Sequence, residues 1–74
     1  MLGEREALVL AVSPFDIHGV PHVDVSVTYR DRTVATARLG RESVPEGLAA
    51  GQEVMVSVAL NMIVAIRRPG GDPA

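Results

Sequence analysis

An all-β domain of five short strands, wrapped into a small closed barrel with at most one helical turn near residues 42–48, is the fold class this sequence predicts. Three observations predict it. In residues 22–29 and 53–58 every second side chain is valine or tyrosine, the period of two that sends successive residues to opposite faces of a sheet. Glycine, proline, asparagine and aspartate punctuate the chain at short intervals, as turns between strands require. The one segment with a helical look, residues 41–51, is interrupted by Pro45 and Gly47, so no more than a single turn fits there.

Residues 7–12, ALVLAV, are a continuous apolar run ahead of Ser13 and Pro14, the pattern of a central strand covered on both faces. Pro14, Gly19 and Pro21 break the stretch 13–21, which reads as a loop with exposed polar groups. Residues 22–29 then place Val23, Val25, Val27 and Tyr29 on a core face and His22, Asp24, Ser26 and Thr28 on a wet one. Arg30, Asp31 and Arg32 form a polar turn, and residues 33–39 return as the second arm of a hairpin. Gly51 ends the following turn region. Residues 53–58 supply a strand with Val54, Val56 and Val58 inward; Leu60 and Asn61 break the ladder; residues 62–66 give the last strand. Residues 1–68 are thus one barrel domain and 69–74 a disordered tail. The strand count and turn spacing match a barrel of the oligonucleotide/oligosaccharide-binding (OB) type, and closure protects apolar strand edges.

At 74 residues and 7.8 kDa the chain buries a small core, and without cysteine it has neither disulfides nor thiolate zinc sites to reinforce it. With 47% hydrophobic residues, part of its apolar surface is expected to face another subunit or domain. Net charge is −2 and the basic residues are scattered, which argues against a nucleic-acid polyanion. All seven basic residues are arginine, so mechanisms that need a lysine are excluded. No run approaches the roughly 18 apolar residues of a membrane span, the first residues are acidic where a signal peptide is basic, and a cytoplasmic protein without membrane insertion is expected.

The segments ESV at 42–44, GLAAGQEV at 47–54 and VSVALNMIVAI at 56–66 resemble the TOBE and Mop-like domains, small barrels that occur as molybdate-binding proteins and attached to transporter ATPases. The resemblance covers about a third of the chain by motif. It implies an OB-like barrel, a homo-oligomer or a neighbouring transporter ATPase as partner, and molybdate or tungstate held at subunit contacts by converging hydrogen-bond donors. Met1, Leu2 and Gly3 stand where the molybdate-binding members carry an N-terminal Ser-Ala-Arg-Asn segment, and Ala59, Leu60 and Asn61 stand where they carry Lys-Ala-Ser/Thr.

The ligand-binding candidates are therefore Arg41, Ser43 and Asn61. Each has a plainer role beside the anion role: Ser43 as a turn or cap residue, Asn61 as a turn residue with positive φ. Asp16, His18, His22 and Asp24 are the only cluster with metal-ligand chemistry, at a spacing that is not diagnostic, and no metal site is assigned. Phe15 and Tyr29 are too few for a base-stacking platform. Met55 and Met62 fill gaps, and Arg67 and Arg68 are a solvated pair or a contact for an acidic partner. No nucleophile, base and orienting group form a set, so no enzymatic activity is expected. Three functions remain: an oxyanion-binding or oligomerising accessory module, a protein-interaction domain that uses a strand edge or loop, and, least favoured, an OB-type nucleic-acid binder.

Overall fold

A computed structural model describes residues 2–69; the tail assigned to 69–74 lies outside them except for Pro69. The five strands are β1 (Leu2–Ile17), β2 (Val20–Thr28), β3 (Val34–Gly40), β4 (Glu53–Ala59) and β5 (Met62–Arg67), and a single 3-10 turn at Arg41–Ser43 follows β3. They form one sheet in the order β3-β2-β1-β4-β5 with every neighbour antiparallel. Directions therefore alternate along the chain, and β3 and β5 run parallel. The sheet curls until these two edge strands adjoin, with no ladder joining them among the described residues. The result is a barrel-like domain in the strand order of an OB-type cylinder.

Curling depends on β1. Its first half pairs with β4 as far as Leu8, and from Leu8 to Ile17 it pairs with β2. Leu10 is an extra residue at the changeover, between the Val9–Val27 and Ala11–Ser26 pairs, and such a bulge sharpens the twist that lets one strand serve two sides of a barrel. A second extra residue, Val64, sits between the Ser57–Ala65 and Val58–Ile63 pairs. The expectation that the 7–12 run is covered on both faces is corrected: Ala7 and Val9 are buried, whereas Leu8 and Leu10 are 39% and 45% exposed. The bulge shifts the phase of the alternation, so a strand wet on one face looks like an unbroken apolar run.

The core is Ala7, Val9, Val25, Val27, Leu39, Val54, Val56, Ile63 and Ile66, all aliphatic, with no buried polar or charged residue beside them among the described residues. The expected inward faces of β2 and β4 are the observed ones. Tyr29 packs at the margin of this core, and the Arg5 guanidinium lies 3.8 Å from its ring centroid and 3.8 Å from Asp31. In the β2–β3 turn, Asp31 accepts hydrogen bonds from the Thr33 hydroxyl at 2.6 Å and the Thr33 backbone N–H at 3.0 Å, an Asx-type closure.

Exposed ion pairs add little individually, but Glu4 and Arg67 tie β1 to β5 through two hydrogen bonds of 2.8 and 2.9 Å. The guanidinium holds the Glu4 carboxyl below its ordinary value of 4.5, and the Thr33 hydroxyl and N–H do the same for Asp31, below 3.8. A carboxylate whose folded-state value is lowered contributes stability above the unfolded value and loses it as pH falls through the folded one. Denaturant midpoints are therefore expected to drop on acidification from neutral pH to below 4.5, and to drop less in a Glu4→Gln variant. Equal acid sensitivity of the two proteins would count against the Glu4 contribution.

Candidate functional site

The stretch 13–21 is not a loop. It continues β1 and opens β2 as a hairpin arm, closed by a two-residue turn at His18 and Gly19 with φ of 49° and 80°. Two positive φ values make the turn whose twist matches the strands, and glycine at the second place takes it without strain. Both prolines fit the ladder for one reason. The residues flanking a two-residue turn, Ile17 and Val20, form a hydrogen-bonded pair, and alternation then makes Asp16–Pro21 and Pro14–Val23 non-hydrogen-bonded pairs. The missing N–H of each proline thus falls on an outer edge, where no ladder bond is lost.

One face of the arm is braced against β3. Phe15 stacks on His22 with centroids 5.7 Å apart, Arg38 lies 4.3 Å over the Phe15 ring, and Arg38 donates to both Asp24 oxygens at 3.1 and 3.4 Å. Nδ1 of His22 donates to the Val20 carbonyl at 2.9 Å. These contacts account for His22 and Asp24 of the cluster singled out in the sequence, while His18 lies in the turn and Asp16 on the opposite face; no group of three or more potential ligands converges on a metal position among the described residues.

By alternation the other face of the arm carries Val12, Pro14 and Asp16 from β1 and Pro21 and Val23 from β2. Facing it across a cleft of about 920 Å³ is the segment after the 3-10 turn, with Val44, Pro45, Leu48, Ala49 and Ala50. That wall is well tied. The Gln52 side chain accepts from the Ala49 N–H at 3.1 Å and donates to the Gly47 carbonyl at 3.4 Å; Arg68 donates to the Glu46 carbonyl at 2.6 Å. Val9 exchanges two backbone hydrogen bonds with Gly51 and Gln52, of 2.8 and 2.9 Å. Beyond Val9 nothing pairs with this side of β1 among the described residues. The alternation leaves the N–H and C=O of Val12 and Asp16 and the C=O of Pro14 along an unpaired edge that borders the cleft.

Of the three residues expected to bind a ligand, Arg41 and Ser43 share the 3-10 turn, and Arg41 also lines the cleft. Asn61 sits apart from them. It occupies the β4–β5 turn at the start of β5, whereas Arg68, just past the other end of β5, reaches Glu46 beside the 3-10 turn; six strand residues at about 3.3 Å each separate the two ends. A single chain does not gather the three. Asn61 and Leu60 have φ of 63° and 52°, so asparagine here satisfies a left-handed turn position. Leucine at the first position is strained and 84% exposed. Leu60→Asn is expected to stabilise the protein by about 0.5–1 kcal/mol, raising Tm by about 4–8 °C per kcal/mol; an unchanged or lowered melting temperature would show the turn to be relaxed as it stands.

The cleft itself was not found from the sequence, although a signal was present: His18 and Gly19 lie between Ile17 and Val20, a hairpin turn between apolar residues. The fold defines the class, a small all-β barrel-like domain bearing a side cleft. No family model, curated protein or solved structure matches the chain, and the resemblance to TOBE and Mop-like domains rests on the quoted residues alone. No helix among the described residues is long and apolar enough to cross a membrane.

Proposed function

We propose that this chain is a binding and accessory module that holds an extended polypeptide segment of a partner protein. The observation that carries this reading is the unpaired edge of β1 running beside a preformed apolar cleft of about 920 Å³. A strand edge supplies main-chain hydrogen bonds to any extended peptide, and flanking pockets select among its side chains. The apolar floor of Val12, Val23, Val44 and Leu48 suits aliphatic side chains, and the tied wall reduces the ordering cost of binding. Binding rather than catalysis fits the residues that line the cleft, where no nucleophile stands beside a base among the described residues.

The test is amide chemical-shift mapping of the whole chain during titration with short extended peptides. Shifts confined to residues 11–16 and 44–50 are expected, and silence of those amides at millimolar peptide would overturn the reading. The oxyanion alternative draws on Arg41 and Ser43 in one turn, and would need Asn61 from a second chain. Molybdate or tungstate titration separates it, since it predicts shifts at 41–43 and 61 together with a rise in oligomer size. Exposed Leu8, Leu10, Val34, Leu60 and Met62 supply apolar surface for such self-association.

A further inference from the structure

Resting on that polypeptide-binding reading, we infer that Pro14 reserves the free edge of β1 for a foreign segment, because it bars a second copy of this chain from pairing there. A bare strand edge is a template for any extended chain, and a second copy presents the same edge with the same spacing. The register fixes which groups that edge offers. Ala11, Ser13, Phe15 and Ile17 turn their N–H and C=O toward β2, so Val12, Pro14 and Asp16 turn theirs outward. On one side the edge ends at Val9, already bonded to Gly51 and Gln52 at 2.8 and 2.9 Å; on the other it ends at the turn of His18 and Gly19. Pro14 is therefore the middle outward residue. Its ring is exposed rather than packed in the core, so burial does not call for a proline at this place.

Two copies joined edge to edge about a two-fold axis run antiparallel, and bonded pairs form only where outward residues face outward residues. The axis can pass at any residue from 12 to 16. With the axis at residue 14, Pro14 faces Pro14 of the second copy, and that central pair loses both of its bonds. With the axis at residue 13 or 15, Pro14 faces Val12 or Asp16 of the second copy, and each such pair loses one bond. In all of these the pyrrolidine Cδ also fills the space that the opposing carbonyl oxygen would take. With the axis at residue 12 or 16 a single bonded pair is left, because the next residues meet the Gly51 and Gln52 segment or the hairpin turn. That pair is Val12 on Val12 or Asp16 on Asp16, the latter with like charges directly opposite. A foreign strand escapes the doubling. It meets one proline, keeps its bonds to Val12, to Asp16 and to the Pro14 carbonyl, and can bulge away from the ring.

The experiment follows amide hydrogen exchange and sedimentation of the full chain from micromolar to millimolar concentration, for the parent and for Pro14→Ala, Pro14→Val and Pro21→Ala. In the parent the Val12 and Asp16 amides should exchange at a rate independent of protein concentration. In both variants at residue 14 they should slow several-fold as concentration rises, with a dimer appearing over the same range, because the restored N–H completes the edge. That N–H faces solvent in the monomer, so the fold is kept. Pro21→Ala relaxes the same arm but frees an N–H on the far edge of β2, and should behave as the parent does. Concentration-dependent slowing in the parent, or none in either variant at residue 14, overturns the barrier. Equal slowing in Pro21→Ala assigns the effect to a loosened arm and overturns it too. The parent is then titrated with an acetylated and amidated hexapeptide in which valine alternates with serine. Shifts at residues 11–16 are expected; their absence beside self-pairing variants sinks the polypeptide function and leaves the barrier standing.

Discussion

Val56→Asp is expected to leave the protein unfolded at room temperature. Val56 is fully buried, opposite Arg5 on β1 and Ile66 on β5, and is one of the nine aliphatic side chains that make up the core among the described residues. The core offers a carboxylate there no buried donor, and the Arg5 guanidinium opposite is held over the Tyr29 ring and beside Asp31, so the charge is left unpaired, which costs several kcal/mol, or is driven to protonate. A domain of this length has only about 4–11 kcal/mol of net stability. Val56→Ala supplies the graded version: the lost methyl groups and the cavity they leave cost about 2 kcal/mol, a fall in Tm on the order of 10 °C. Circular dichroism and amide dispersion decide both. A folded Val56→Asp protein with an unchanged melting temperature would mean that the sheet does not curl around this residue.

Replacing residues 14–23 with Asn-Gly, so that a two-residue turn joins Ser13 to Asp24, is expected to preserve the barrel and remove peptide binding. Ser13 and Asp24 are ladder partners with the hydrogen-bonded phase that a two-residue turn needs. The excised residues include none of the nine buried core side chains. Val23 is the one that packs against the core from its margin, so a loss of about 1 kcal/mol is the foreseen structural cost. What goes with the arm is one wall of the cleft and most of the unpaired β1 edge. Binding of short extended peptides should fall below detection while the amide spectrum of residues 24–68 stays largely in place. Undiminished binding by the shortened protein would move the site away from the arm.

Strand content was open to local inspection because alternation is a local property. Val23, Val25 and Val27, and then Val54, Val56 and Val58, announce their inward face by spacing alone, and the structure has Val25, Val27, Val54 and Val56 buried. The single 3-10 turn followed from Pro45 and Gly47 interrupting anything longer. The arm was misread because proline is scored as a ladder breaker. Pro14 and Pro21 break nothing here, since in this register their missing N–H groups point to outer edges, and that depends on where the turn at His18 and Gly19 fixes the pairing. The anion candidates show the same limit: Arg41 and Ser43 are near in sequence and stay near, whereas the place of Asn61 depends on the direction of β5.

The amino-acid sequence by itself determined the class of fold, the order of strands and turns, the inward valines and the absence of thiol and lysine chemistry. Each of these follows from side-chain type and spacing within a few residues. Tertiary structure decided that β1 leaves β4 for β2 at the Leu10 bulge, that the arm stands over the segment after the 3-10 turn, and that a strand edge and an apolar cleft lie side by side. The physical reason is that these features are set by hydrogen-bond register between segments far apart in the chain, and register is chosen by the packing of the whole barrel rather than by any one strand.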